Sequence, residues 1–440
     1  MPEQQTQTER LHEIAAAGIV GAGGAGFPTQ LKYQAAADTL LVNAAECEPL
    51  LHKDQELCKA YPEQLIAGAH TAMELLGATK GIIGIKAEYG EAIAALAPHL
   101  SPQLHLHLLG SHYPAGDEFI LVYEATGRSI PPGGLPKDVG CVVNNVETLI
   151  NIAMQRPVTH KYLTVGGAVV RPQTICAPLG ASLTDCVAAC GGASAPRWLA
   201  LEGGVMMGRL CDDQYSPVSK TTGGFILLPQ DHPLLGRYLS KWSAISRRAR
   251  AACDQCNFCT ELCPRRLLGH PIQPHLAMRA LGFNPTPNGA AAPDTAGAAY
   301  CCECNLCSLV VCPEDLDPKS VMVQAKQQTT SAQSTGSRVF EPHPLYAARR
   351  QPLSRIKARL GLTEFSDFGP LVPRPLEVER VCISLHQGLC APGEPVVSVG
   401  ENVAEGQLIA HPPTDQLGSP LHASLSGVIR QVNESVVIER

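Results

Sequence analysis

Eight cysteines stand in two tight runs. The first is Cys253, Cys256, Cys259 and Cys263, spaced by two, two and three residues and followed by Pro264. The second is Cys301, Cys304, Cys307 and Cys312, spaced by two, two and four residues and followed by Pro313. Three thiolates at such short spacing on a tight turn can meet three corners of one iron–sulfur cube. The fourth, set before a proline at a helix start, is aimed elsewhere. Where a chain holds two cubes, the fourth cysteine of each run ligates the other cube. The expected ligand sets are therefore Cys253, Cys256, Cys259 and Cys312 for one [4Fe–4S] cluster, and Cys301, Cys304, Cys307 and Cys263 for the other. The extra residue before Cys312 starts its helix one position later, a shift that a ligand arriving from another stretch of chain tolerates. Zinc prefers two CxxC pairs or mixed Cys/His sets, without a third thiol in tight register. Cys302 is a spare thiol outside both sets.

A second constellation lies near the N-terminus. Gly21, Gly23, Gly24 and Gly26, in GAGGAGFPT, make a loop whose backbone N–H groups can face an anion without interference from Cβ atoms. Lys32 lies just beyond. Asn43, Glu46 and Glu48, in NAAECEP, stand at the end of a predicted strand, where α/β sheets bind ligands. Asn144 and Asn145, in VNNVET, open a predicted helix.

The elements that must hold these groups follow from periodicity. A short helix over 8–17 precedes the glycine loop. Apolar runs at 40–44, 81–85 and 105–109 read as strands, and 62–76 and 90–100 as helices between them, giving a mostly parallel sheet covered on both faces. Residues 161–230 read as a small α+β unit with a helix at 183–189, and 233–252 as one helix leading into the first cysteine run. An Ala/Pro/Gly stretch, 285–299, separates the two runs, and 326–338 is a polar linker. Arg349, Arg350, Arg355, Lys357 and Arg359 follow, read as a solvated helix face or, alternatively, a docking surface for an acidic partner. The last sixty residues alternate valines with glycine-containing turns, as in a small barrel or sandwich.

The totals narrow the function classes. At 440 residues the chain needs several domains. A net charge of −6 argues against a nucleic-acid-binding surface. No signal-peptide pattern opens the chain and no run of 18 apolar residues occurs, so no transmembrane segment is expected. Eighteen cysteines in that setting point to metal or redox chemistry rather than disulfides. The remaining ones (Cys47, Cys58, Cys141, Cys176, Cys186, Cys190, Cys211, Cys382 and Cys390) read as small buried hydrophobes.

The order GxGGxGFPT, NAAECEP, VNNVETL resembles the flavin- and NADH-binding subunit of respiratory complex I. The fuller pattern YPAGDE…TGRSIPPGGLPKDVG is similar to the RnfC component of the Rnf electron-transport complex, and nearer still to the cobalamin reductases of the propanediol-utilisation microcompartment. The resemblance implies a multidomain α/β chain. Residues 1–157 would be a Rossmann-like FMN/NADH-type domain, 158–232 a β-grasp ligand-binding domain, and 233–328 a helical two-[4Fe–4S] ferredoxin module. Residues 329–378 would be the linker and basic helical segment, and 379–440 a β barrel-sandwich. In RnfC the barrel-sandwich is N-terminal; here the similar segment, 386–432, is C-terminal. No lysine stands on the 414–419 turn, which argues against lipoyl or biotinyl attachment.

By matching motif positions, Gly21, Gly23, Gly24, Gly26, Lys32, Asn43, Glu46, Glu48, Asn144 and Asn145 would line an FMN site, with NADH as electron donor. The chain departs from the complex I motif at Ala45, where that motif has an acid, and in the small residues after Tyr33. Both departures fall on the nicotinamide side. The resemblance further implies a corrinoid substrate, an adenosyltransferase and microcompartment shell proteins as partners, and a cytoplasmic location inside a bacterial microcompartment. NADH gives two electrons together as hydride, a cubane cluster moves one at a time, and a flavin converts between them, so no catalytic acid, base or nucleophile is required. The Asp-x-His-x-x-Gly motif of some cobalamin proteins is absent, and His105, His107 and His112 read as strand or turn residues. Two other readings are a peripheral electron-input subunit of an Rnf-type membrane complex and a non-catalytic iron–sulfur conduit.

Overall fold

The computed structural model describes residues 6–283, 296–328 and 340–440. Most of the 285–299 stretch and of the 326–338 linker lies outside the described residues. The strands Thr39–Ala44, Lys80–Lys86, Leu104–Leu109 and Cys141–Asn145 form a parallel sheet in the order third, second, first, fourth. Alternation along the first strand buries Leu40, Val42 and Ala44 in one core and Leu41 in another, which is why the sheet needs cover on both faces. The helix Pro62–Leu76 begins on a proline and ends on left-handed Gly77, and both stops were readable in the sequence. It crosses the helix Val146–Met154 at Gly68, where a Cβ would stand 1.9 Å from the Leu149 carbonyl oxygen. Only glycine allows that approach.

The next unit is a five-stranded sheet. Its central pair, His160–Gly167 and Gly224–Pro229, is parallel. Gln173–Pro178 flanks one side and Trp198–Glu202, then Arg209–Leu210, the other, all antiparallel. The helix Leu183–Ala189 opens on a reciprocal Ser182–Asp185 cap and buries Leu183, Cys186 and Val187 in the same core as Leu163 and Val165.

The single helix expected over 233–252 is two, Pro233–Tyr238 and Trp242–Ala252. Ser240 turns its hydroxyl back to the Gly236 carbonyl and Lys241 is extended, so the chain restarts in a new direction. The predicted helix 90–100 likewise changes character: Gly90–Leu96 is α-helical and Ala97–His99, around Pro98, a tighter turn. Trp242–Ala252, Pro274–Phe283 and Pro318–Gln327 enclose a third core through Ala249, Met278, Leu281, Val321 and Met322.

The C-terminal region is two small antiparallel sheets. One pairs Arg380–Ser384, Ser435–Glu439, Gly427–Val432 and Asn402–Val403; the other pairs Glu394–Pro395, Leu408–His411 and Leu421–His422. On the basic segment before it, Arg355 and Arg359 lie on an exposed helix face, as a solvated face requires, and several of the charges are paired. Arg349 pairs with Glu261, Arg350 with Glu124, Lys357 with Asp367, and Arg359 with Asp315, tying the segment to other parts of the chain.

Candidate functional site

The glycine loop is closed by its own backbone. Gly21 N–H donates to the Phe27 carbonyl at 2.9 Å and Gly26 N–H to the Gly21 carbonyl at 3.2 Å. Gly24, at φ +115°, faces open space, whereas a Cβ on Gly23 would already touch Asn145. Lys32 donates to the Val143 carbonyl at 3.1 Å. It borders a cavity of about 500 Å³ together with Ala25, Phe27, Glu118, Lys137 and Leu389.

The other predicted residues lie around and beneath the loop, and most have partners within the chain. Asn43 donates to the Gly116 carbonyl at 2.8 Å and accepts from Ala45 N–H. Glu46 accepts from Glu48 N–H, and burial, with Asp54 nearby, pushes its carboxyl up to about 7. Glu48 leaves the loop altogether: it accepts from Met206 and Met207 N–H, both at 2.8 Å, in a turn of the second sheet unit, while burial pushes it up to about 8. Asn144 bonds the Tyr33 hydroxyl and leaves its own buried carbonyl oxygen without a hydrogen-bond partner. Asn145 caps the following helix through Glu147 N–H and donates to Asp54 at 2.9 Å.

A buried ionic cluster under the loop escaped sequence reasoning. Lys53 and Lys161 both donate to the same oxygen of Glu147, at 3.0 and 2.5 Å, and Lys161 also donates to the Ala22 carbonyl in the loop at 3.0 Å. Burial pushes the Glu147 carboxyl up, but the two ammoniums, Lys161 foremost, hold it below its ordinary value. Burial brings Lys161 down to about 8. The available signal was Lys53–Asp54 itself, a charged pair set between apolar Leu50–Leu51 and Leu57, together with the Glu of VNNVET.

The two cysteine runs share one backbone shape. Gln255 and Asn257 have φ of 62° and 66°, and Glu303 and Asn305 have 59° and 64° at the corresponding positions. Cys263 and Cys312 then adopt nearly identical extended angles before their prolines. The extra residue of the second run is absorbed before Cys312, in a π-turn over Cys307–Val311 closed by Cys312 N–H on the Cys307 carbonyl at 3.1 Å.

The thiols separate into two neighbourhoods. Burial pushes Cys259 up to about 12, and the thiolates that add to this are Cys253, Cys256 and Cys312. Burial likewise raises Cys307, with Cys301, Cys259 and Cys263 adding to it, so the two groups adjoin. Cys304 is raised first by its hydrogen bond with Cys302, then by burial and by Cys302, Cys307 and Cys263. Gln255 donates to Cys253 Sγ at 3.1 Å and Glu303 N–H to Cys301 Sγ at 3.4 Å. Among the described residues no cluster of three or more His, Cys, Asp or Glu side chains closes around a single metal ion. Thiols gathered from both runs into two neighbourhoods, with an N–H donor on Cys253 and one on Cys301, fit iron–sulfur ligation.

The second group faces both the parallel-sheet unit and the second sheet unit. Tyr113 O–H donates to the Cys304 carbonyl at 2.7 Å, Asn305 donates to the Met206 carbonyl, and Arg265 pairs with Asp117 at 2.9 Å. The first group opens outward at exposed Cys256 and half-exposed Phe258.

Comparison with known proteins matches four separate stretches of the chain. Residues 14–154 match the Nuo51 FMN-binding domain, 162–210 the SLBB domain, 252–317 a 4Fe-4S dicluster domain, and 370–440 the RnfC barrel sandwich hybrid domain. A solved NAD+-reducing [NiFe]-hydrogenase in its H2-reduced state shares the fold at a TM-score of 0.50 and 22% identity, over 77% of this chain and 64% of that one. The C component of the Na(+)-translocating ferredoxin:NAD(+) oxidoreductase complex of Acetobacterium woodii is 34% identical over 57% of this chain and 56% of its own length. Cobalamin reductase PduS of Salmonella typhimurium is 42% identical over 99% of this chain and 97% of its own length, and that of Citrobacter freundii 41% identical over 99% and 96%. Agreement at that level along nearly the whole of both proteins means that the chain belongs to the PduS cobalamin reductase family.

Proposed function

We propose that the chain is an NADH-dependent cobalamin reductase that delivers single electrons to the cobalt of a corrinoid. The observation that carries this reading is end-to-end similarity to cobalamin reductases in a chain whose glycine loop and cysteine quartets belong to one packed structure. The matching component of an Rnf-type complex covers little more than half of the chain, which favours the corrinoid reading over the membrane-complex one. No helix among the described residues is long and apolar enough to cross a membrane.

Bound FMN supplies the conversion between hydride and single electrons, and [4Fe–4S] clusters supply one-electron transfer. Gly23 and Gly24 would offer backbone N–H groups, Gly21 and Gly26 close the loop that presents them, and Lys32 puts a charge beside the cavity; Asn43, Glu46, Asn144 and Asn145 shape the loop's surroundings, and Glu48 ties them to the second sheet unit. Glu46, held near neutrality by burial, can keep or release a proton at its carboxyl at physiological pH. Cys253, Cys256, Cys259 and Cys312 would hold one cluster, and Cys301, Cys304, Cys307 and Cys263 the other. The domain division at 157, 232, 328 and 378 is part of this reading, as are the Rossmann-like, β-grasp, ferredoxin-type and barrel-sandwich assignments. So are an adenosyltransferase and shell proteins as partners, and residence in a microcompartment.

The test is anaerobic reduction of hydroxocobalamin by NADH in the presence of purified protein, followed in the corrinoid's visible spectrum. Turnover that requires both NADH and protein supports the proposal. NADH oxidation without corrinoid reduction would move the assignment to another acceptor.

A further inference from the structure

Arg265 is an uncommon residue to find sealed inside a protein. It lies two positions after Cys263 and its side chain is nine-tenths buried. Asp117, which caps the helix Glu118–Thr126 of the first domain, accepts from Nη2 at 2.9 Å. The guanidinium carbon lies 3.6 Å from the centre of the Phe119 ring. Nη1, equally buried, has no hydrogen-bond partner. The groups whose charge the Arg265 side chain feels, besides Asp117, are the thiols of Cys302, Cys304 and Cys263, and its own charge adds to burial in bringing His270 down to about 4, which keeps that ring neutral.

A guanidinium cannot escape burial by losing its proton. Asp117 and Phe119 fix its plane but leave one N–H fork unmet, and buried donors are rarely left so without a reason. Arg265 follows Cys263 by two positions, and of the thiols it interacts most with Cys302, then with Cys304 and Cys263, the last two in the quartet nearest the parallel-sheet unit. Positive charge and N–H bonds at cluster sulfurs favour the reduced cluster, which carries one more electron.

Resting on the ligand sets proposed above, we propose that Arg265 is a positioning residue for electron transfer: its free Nη1 donates to a sulfur of the cluster held by Cys263, Cys301, Cys304 and Cys307 and raises that cluster's potential. A purely structural role, bridging two domains through Asp117, would leave the potential where it is.

The experiment is an EPR-monitored redox titration of the holoprotein and of its R265Q and R265K variants, with iron and acid-labile sulfide measured in each. The expected result is a downward shift of one cluster's midpoint in R265Q, a smaller one in R265K, and no movement of the other cluster's. Midpoints that stay put, or move together, overturn the proposal. C302A is the control for the rival acceptor: if the Arg265-dependent shift disappears in that background, Cys302 and not the cluster meets the N–H, and the proposal falls. Should both Arg265 variants lose cluster, unmutated protein carrying 15N-arginine decides, with 15N coupling expected on one cluster signal; its absence overturns the proposal. Unmutated protein without two cluster signals would instead refute the ligand sets themselves.

Discussion

Leu389, in the C-terminal β region, donates its backbone N–H to the carbonyl of Ala25 in the glycine loop at 2.9 Å. Cys390 Sγ meets the Gly26 carbonyl beside it, and Gly388 and Gly26 pack against each other so closely that a Cβ on Gly388 would fall 2.6 Å from the Ala25 oxygen. The C-terminal region is thus a wall of the loop rather than an appendage. Gly388→Val, at φ +63°, should displace the loop, lower stability by about 1–3 kcal/mol through crowding on top of a backbone term of about 1–2 kcal/mol, and weaken FMN binding about tenfold by fluorescence titration. Gly400→Ala, at φ +88° with nothing within 4 Å, is the control. It should cost only the backbone term of about 1–2 kcal/mol and leave FMN affinity unchanged.

Glu147 holds two buried lysines. Replacing it with alanine leaves Lys161 with no carboxylate and Lys53 with Asp54 alone, at 3.2 Å, and should destabilise the protein by about 3–5 kcal/mol. Lys161→Met, which leaves Lys53 on the carboxylate, should cost less. Because the folded protein holds Glu147 below its unfolded value, its contribution is present above that unfolded value and is lost as pH falls through the folded one. Urea midpoints from pH 7 down to pH 3 would show this loss in the parent protein and not in Glu147→Ala.

Glu46 has the opposite sign. Burial raises its carboxyl from 4.5 to about 7, so its contribution is full below 4.5 and is lost as pH rises through about 7. The parent protein should therefore lose stability between pH 5 and pH 8 relative to Glu46→Gln, which cannot ionise. Parallel thermal midpoints for the two proteins across that window would contradict the assignment.

Crossed ligation predicts which cysteines fail together. Cys312→Ser and Cys256→Ser should abolish the same EPR signal, and Cys263→Ser and Cys304→Ser the other, each variant keeping about half of the iron because the second set of ligands is untouched. If Cys312→Ser instead grouped with Cys304→Ser, each run would serve its own cluster.

What could be read from the sequence is what is local. The cysteine spacings, the glycine loop and the helices at 62–76 and 183–189 are set by neighbours within a few residues, through caps and tight turns. The extra residue before Cys312 was visible, but its accommodation as a π-turn within the run, rather than a later helix start, was not. The break at 239–241 was missed because apolar and basic residues keep a helical rhythm across it. Lys161 beneath Ala22, Arg265 against Asp117 and Leu389 on Ala25 each join distant segments, and no periodicity within either segment encodes the contact. The partners of the basic residues at 349–359 were hidden for the same reason: Glu261, Glu124, Asp367 and Asp315 are brought to them by the fold.

The central claim is that nicotinamide, flavin and iron–sulfur chemistry are joined in this one chain. Adding NADH to the anaerobic, cofactor-loaded protein while recording visible absorbance and EPR tests it most directly. The account predicts bleaching of the flavin bands followed by reduced-cluster signals. Iron–sulfur absorbance that dithionite reduces but NADH leaves unchanged would contradict it, and would make the protein a conduit fed by another donor.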